Sequence, residues 1–239
     1  MVTRSRSQAS SLVDRLTGMG AEVVELPVIA VADPRDGGAA LRDATAAAAG
    51  GRYDWVAVTS VNAVERFFAA AGDRPPAPGT RWAVVGRGTA DALHRFGGRA
   101  DLVPPEAVSE SLAEAFPVAG PSGGTRVLVP RAETVRGVLA DGLRAKGYAV
   151  DEVVAYRTVA GEPGAAAVAA VPSADAVVFT SSSTVERFVD LLGPGVVPPV
   201  VVSIGPVTSA AARRAGMAVT AEAVEHDLDG LVAALGTCW

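Results

Sequence analysis

The chain has 239 residues and a mass of 24.1 kDa, with 49% hydrophobic and 20% charged residues, a mean hydropathy of +0.31 and a net charge of −5. This composition excludes bulk disorder, which needs low hydrophobicity and high net charge, and it argues against nonspecific nucleic-acid binding, which rests on clustered Lys and Arg. One cysteine (Cys238) and two histidines (His94 and His226) exclude an internal disulfide and a Cys/His metal cage, and the single lysine, Lys146, reads as a cation at a helix C-terminus, which leaves amine chemistry without a candidate.

In chain order, short apolar runs at residues 1–3, 22–26, 55–58, 82–85, 100–103, 126–129, 150–154, 176–179, 200–204 and 218–220 read as strands separated by helical patterns and spacers. They are continuous Val, Ile and Ala runs rather than alternating ones, as a parallel sheet covered by helices on both faces requires. The uncharged stretch 191–212 is broken by four prolines and three glycines, so no membrane span is expected. The first residues lack the apolar core of a secretory signal, and the expected location is the cytoplasm.

The chain also repeats itself. Thr59-Ser60-Val61-Asn62-Ala63-Val64-Glu65-Arg66-Phe67 is echoed 121 positions later by Thr180-Ser181-Ser182-Ser183-Thr184-Val185-Glu186-Arg187-Phe188. Gly86-Arg87-Gly88-Thr89-Ala90 returns as Gly205-Pro206-Val207-Thr208-Ser209 at a spacing of 119, and Val2-Thr3-Arg4 returns as Val129-Pro130-Arg131 at 127. The expected fold is α/β, with two similar domains, each a five-stranded parallel sheet flanked by helices, and a cleft between them. Stretches rich in Pro and Gly at 30–38 and 160–164 mark linkers. If the chain changes domain there, residues 1–30 and 162–239 form one discontinuous domain, 38–155 form an inserted one, and 31–37 and 156–161 connect them; periodicity alone leaves a simple tandem open. Ligands of such sheets bind beyond the carboxyl ends of the strands.

At those ends stand the candidate site residues. Asn62-x-x-Glu65 and Ser183-x-x-Glu186 have the capping-box pattern. Thr59, Ser60, Thr180, Ser181 and Ser182 add more hydroxyls than a cap needs, at helix starts whose free amides suit carboxylates or phosphates. Thr89 and Thr208 each follow a strand-ending glycine by three residues and serve either as caps or as ligand contacts. Arg4 and Arg131 hold matched positions after a strand, either as bidentate carboxylate clamps or as solvated arginines. Gly86-Arg87-Gly88 lacks the third glycine of a dinucleotide fingerprint, since Asp91 stands there, and Gly123-Gly124-Thr125-Arg126 precedes its strand and has no lysine, so neither NAD nor a nucleoside triphosphate is supported. Of three tyrosines, Tyr156 alone falls at a strand's carboxyl end, where it is either a functional hydroxyl or a packed linker aromatic.

Taken together, Val2-Thr3-Arg4 with Gln8, Thr59-Ser60-x-Asn62-Ala63-Val64, Val85-Gly86-x-x-Thr89-Ala90, Val129-Pro130-Arg131, Ala155-Tyr156-Arg157-Thr158, Phe179-Thr180-Ser181-x-Ser183 and Ser203-Ile204-Gly205-Pro206-x-Thr208 resemble the uroporphyrinogen-III synthase family in order and spacing over practically the whole chain. The resemblance implies two α/β domains joined by two linkers. It implies a cofactor-free, metal-free cytoplasmic lyase that closes linear hydroxymethylbilane, a substrate with eight carboxylates, to uroporphyrinogen III with loss of water and inversion of ring D. Tyr156 would assist departure of the hydroxyl; Arg4, Thr59, Ser60, Asn62, Gly86, Thr89, Arg131, Thr180, Ser181, Ser182, Ser183, Ser203, Gly205 and Thr208 would bind substrate. Family members carry more apolar residues before the Thr-Arg pair, which suggests a downstream start or a domain cut from a longer chain. The expected partners are the tetrapyrrole, the preceding synthase by hand-off or a fused methyltransferase, with no nucleic acid, no membrane and a monomeric state. A noncatalytic module of the same fold that binds a tetrapyrrole or another polyanion is the alternative. A two-domain sugar or amino-acid binder would carry an export signal.

Overall fold

The computed structural model describes residues 1–120, 124–193 and 195–239, with only the backbone of residues 6–8. Gly123 and the side chain of Gln8, both singled out in the sequence, lie outside the described residues. The elements in chain order are α1 (Arg6–Gly18), β1 (Ile29–Ala32), α2 (Ala39–Ala49), β2 (Trp55–Val58), α3 (Val61–Ala71), β3 (Arg81–Val84), α4 (Arg87–Arg95), α5 (Ser109–Ala115), β4 (Arg126–Ala132), α6 (Val138–Ala145), β5 (Ala149–Ala160), α7 (Ala165–Ala169), β6 (Ala176–Phe179), α8 (Ser182–Leu192), β7 (Val200–Ser203), α9 (Pro206–Arg214), β8 (Ala221–Glu222) and α10 (Leu228–Gly236). The chain divides into two compact units, residues 1–31 with 158–239, and residues 32–157.

In the first unit β6, β7 and β8 form a parallel ladder. Val2 bridges Val178 on one side and Glu25 on the other, both in parallel. Five extended positions therefore lie side by side, in the order Glu25, Val2, β6, β7, β8. Two of them, expected as strands at 1–3 and 22–26, narrow to single bridging residues, and the strand expected at 218–220 forms at 221–222 instead. Pro27 has no N–H to extend the ladder past Leu26. Successive residues of one strand serve opposite faces: Val177, Phe179 and Val201 pack with Leu26, Val185 and Phe188, while Val178 and Val202 pack with Val2, Leu12, Leu16 and Leu231. Both faces are apolar because both are covered, which is why these strands read as unbroken apolar runs.

The five-stranded sheet has the order β1-β5-β4-β2-β3; β2, β3, β4 and β5 up to residue 157 lie in the second unit, whereas β1 up to residue 31 and the last three residues of β5 belong to the first, and the ladders β5-β4, β4-β2 and β2-β3 are parallel. Leu102 adds a single parallel bridge to Ala83 at the outer edge, where a strand was expected over 100–103; Pro104 and Pro105 follow it. Register places Trp55 opposite Arg81 and Val56 opposite Trp82, so the two tryptophans serve opposite faces. Trp55 packs on Phe116, ring centroids 5.0 Å apart, with the Arg81 guanidinium 4.1 Å over its ring. Trp82 meets Phe67 at 5.2 Å on the other face. Lys146 ends α6 and donates to the carbonyls of Glu114 and Phe116, so the one lysine is spent on helix-end carbonyls.

The segments read as linkers are strand only in part: residues 31–32 and 156–160 belong to β1 and β5, while 33–38 and 161–164 are not strand. β1 covers 29–32 and β5 continues to residue 160, and the two are hydrogen-bonded neighbours. Pro34, Gly37 and Gly38 dominate the local sequence signal, yet they begin only after Ala32. Just beyond the sheet, the Gly161 N–H donates to the Val28 carbonyl at 2.9 Å, and a Cβ on Gly161 would fall 2.0 Å from the Pro27 carbonyl oxygen, so glycine there answers a close backbone approach.

Candidate functional site

Fourteen of the fifteen sequence-predicted site residues lie at or shortly after the carboxyl end of a parallel strand or bridge, six in the second unit and eight in the first; the fifteenth, Tyr156, lies inside β5, opposite the last residue of β4. In a parallel sheet all strand-to-helix turns emerge on one edge, so residues far apart in sequence converge there.

In the second unit, β2 delivers Thr59, Ser60 and Asn62 to the head of α3, β3 delivers Gly86 and Thr89 to α4, β4 ends at Arg131 and Ala132, and β5 brings Tyr156. Ser60 is the N-cap of α3: its backbone is extended (φ −156°) and its Oγ accepts from the Ala63 N–H at 3.1 Å. The Tyr156 hydroxyl stands 3.1 Å from the same Oγ. β5 reaches this position through an irregularity in its pairing with β4. Arg131 pairs with Val154, but Ala132 pairs with Tyr156, which leaves Ala155 as an extra residue. Such a bulge re-aims the next side chain, and Ala155 and Tyr156 are accordingly both buried in succession. The phenol then spans β4 to reach a serine 96 residues away in sequence.

In the first unit, β6 delivers Thr180, Ser181, Ser182 and Ser183 to α8, and β7 delivers Ser203, Gly205 and Thr208 to α9, while Arg4 follows the bridging Val2. Ser181 is the N-cap of α8 and closes a capping box with Thr184: each side chain accepts from the other's backbone N–H, at 3.3 Å in both directions. The Ser181 and Ser183 hydroxyls lie 2.9 Å apart. Ser182 donates weakly to the Val207 carbonyl at 3.4 Å, tying the two turns together.

Three expectations change. The caps stand two residues earlier than Asn62-x-x-Glu65 and Ser183-x-x-Glu186 suggest, because the helices begin directly where the strands end; Asn62 and Ser183 sit in the first helical turns and Ser60 and Ser181 do the capping. Ser203 is fully buried and its hydroxyl lies 2.6 Å from the Ser209 hydroxyl, so it pins β7 to α9 and presents nothing outward. Arg131 is largely engaged within its own unit: its Nε lies 2.8 Å from Glu152 Oε2 as an ion pair without hydrogen-bond geometry, and its Nη1 donates to the carbonyls of Ala132 and Glu133 at 2.9 and 3.0 Å, with the side chain 27% exposed. Thr89 and Thr208 are mostly buried against the first turns of their helices.

Sequence reasoning missed the partners rather than the site: Ser60 for Tyr156, Glu152 for Arg131 and Ser209 for Ser203. The last had a signal, since a serine six residues past a strand end falls on the inward face of the following helix; a pairing across the sheet leaves none. Among the described residues no group of three or more His, Cys, Asp or Glu could hold a metal ion, and no helix is long and apolar enough to cross a membrane. Chemically, the two sheet edges offer helix-head amides, several hydroxyls and one phenol held by a serine. These are donors for a polycarboxylate and a proton source for a leaving oxygen.

Residues 10–233 match the family model described as uroporphyrinogen-III synthase HemD. A uroporphyrinogen-III synthase of Synechococcus elongatus is 35% identical over 254 residues, spanning 98% of this chain and 93% of that protein. In fold, the chain is similar to a mutant uroporphyrinogen III synthase of Thermus thermophilus, with a TM-score of 0.65 at 19% identity over 99% of this chain and 96% of that one. It is also similar to the uroporphyrinogen-III synthetase of Helicobacter pylori, with a TM-score of 0.61 at 14% identity over 92% and 96%.

Proposed function

The chain belongs to the uroporphyrinogen-III synthase family, and from that premise we propose how its own residues carry out the family's reaction. It is a cyclising hydro-lyase of tetrapyrrole biosynthesis. The substrate is linear hydroxymethylbilane, whose carboxylates suit the kind of helix-head amides and hydroxyls that each unit presents by itself, at α3 and α4 or at α8 and α9. Loss of the ring A hydroxyl leaves an azafulvene; the substituted carbon of ring D attacks it, and fragmentation and reclosure of the resulting spiro intermediate invert ring D. The chain's main task is orientation, since closure without inversion competes in solution.

The observation that carries this reading is the Tyr156 hydroxyl at 3.1 Å from Ser60 Oγ. Ser60 already accepts from the Ala63 N–H, so its own proton is available to the phenol oxygen. With that oxygen accepting, the phenolic O–H points away from Ser60 and meets the departing hydroxyl as a proton donor or a hydrogen bond. The hydroxide leaves as water, and a proton returned from the medium restores the phenol. Arg131 on β4 forms an ion pair with Glu152 on the neighbouring β5. The same reading makes the protein a cytoplasmic monomer that takes its short-lived substrate from the synthase making it.

The test is incubation of the purified chain with hydroxymethylbilane, followed by oxidation and separation of the porphyrin isomers. Type III product in excess of the spontaneous background is expected. Only type I product would reduce the chain to a noncatalytic binder of the same fold.

A further inference from the structure

The two units are built on one plan, so each serves as a control for the other. Gly86 precedes α4 and Gly205 precedes α9; their φ values, −179° and 167°, are extended backbone open to any residue. Glycine is there for closeness. A Cβ on Gly86 would lie 2.9 Å from the Ala107 Cβ, and a Cβ on Gly205 would lie 3.0 Å from Cδ2 and 3.3 Å from Nε2 of His226. Ala107 and His226 are separated by the same 119 positions as the two glycines. They are equivalent residues, each covering its strand-ending glycine. In the second unit a methyl group does this, so the imidazole in the first unit exceeds what packing asks for.

His226 is exposed, and the turn that carries it is anchored through its backbone. Asp227 caps α10 by accepting from the Gly230 N–H at 2.8 Å, and its own N–H donates to the Glu225 carbonyl at 2.8 Å. A Cβ on Gly230 would strike that carbonyl at 2.0 Å, so the turn carrying His226 is closed down on α10. On its other side the Ala223 N–H donates to the Ser203 carbonyl at 2.9 Å, anchoring the segment to the end of β7. Val207, in the first turn of α9, and Val224, two residues before His226 in sequence, are apolar side chains that are 50% and 89% exposed.

We propose that His226 is a further substrate-binding residue, whose ring N–H donates to a carboxylate of the tetrapyrrole at the head of α9 while Val207 and Val224 meet a pyrrole ring. This deepens the assignment of the chain as a synthase and rests on it. The test is steady-state kinetics with hydroxymethylbilane on the wild type, His226→Ala and His226→Gln, each checked by thermal melting. His226→Ala should raise KM about tenfold, the loss of one charge-assisted hydrogen bond, with kcat within about twofold of wild type. Its melting temperature should be unchanged, since alanine suffices at the equivalent position 107. His226→Gln, which keeps an N–H donor, should restore most of the affinity.

An unchanged KM in the alanine variant, a glutamine variant as impaired as the alanine one, or an alanine variant that fails to fold would overturn the proposal. Wild type that forms type III product alongside an alanine variant of equal KM removes His226 alone. Wild type that forms only type I product removes the synthase assignment, and this inference with it.

Discussion

Replacing Tyr156 by Phe removes one oxygen from a site whose other atoms stay in place. The hydroxyl's described partner is Ser60 Oγ at 3.1 Å, longer than the 2.7–2.8 Å usual between hydroxyls, so its contribution to stability belongs at the low end of the range, about 0.5–1 kcal/mol. Ser60 continues to cap α3 through Ala63, and the phenyl ring fills the same buried space. For a chain of this size that loss lowers the melting temperature by only about 1–4 °C. The effect on turnover is far larger. A positioned proton donor is worth about 10²-fold at the modest end, so kcat should fall by about two orders of magnitude with KM within about twofold. Stopped-time assays that separate type I from type III product measure this above the spontaneous background. The residual product should still be type III, because the carboxylate-receiving turns are untouched. A variant with wild-type kcat, or one whose defect lies wholly in KM, would refute the assignment of the phenol to the departing hydroxyl.

Ser60→Ala removes both a cap and the tyrosine's partner, so stability should fall by about 1 kcal/mol in urea titrations and kcat should fall less than in Tyr156→Phe, because the phenol remains but is no longer oriented. Gly161→Ala should cost about 3 kcal/mol or more, since its Cβ would meet the Pro27 carbonyl at 2.0 Å, whereas Gly164→Ala, with nothing within 4 Å, should stay within about 0.5 kcal/mol; denaturation midpoints of the pair check this. Partial burial raises the Asp151 carboxyl pKa, but hydrogen bonds from Tyr53 and Arg126 and the charges of Arg126 and Arg52 outweigh it and hold the group below its usual value. A depressed carboxyl contributes stability that is present above its unfolded pKa of about 3.9 and is lost as pH falls through the folded value. Asp151→Asn should therefore be less stable at neutral pH and flatter below about pH 4 in thermal melts; an acid limb identical to wild type would count against the pairing.

The architecture was readable because its physical cause is local. Runs such as 55–58 and 176–179 are continuously apolar since helices cover both faces of the sheet, and each ends in Thr-Ser where a helix head needs a cap. Duplication made the pattern more reliable, because a chance Thr-Ser does not recur 121 residues later before another Val-Glu-Arg-Phe. Capping was misplaced by two residues for an equally local reason. Asn62-x-x-Glu65 has the better box chemistry, but the extended backbone of Ser60 and Ser181 at the strand exits decides where the helix starts.

Pattern and composition thus determine strands, helix heads and the candidate edge of each sheet, all of which follow from burial and backbone satisfaction within about ten residues. Folding in three dimensions settles the partnerships. Tyr156 meets Ser60 because β4 lies between their strands and a bulge turns the ring across it, while Arg131 forms an ion pair with Glu152 on the neighbouring strand. Hydrogen bonds and ion pairs of this kind depend on distances of about 3 Å between residues distant in the chain, and parallel pairing fixes those distances only once the whole sheet has assembled.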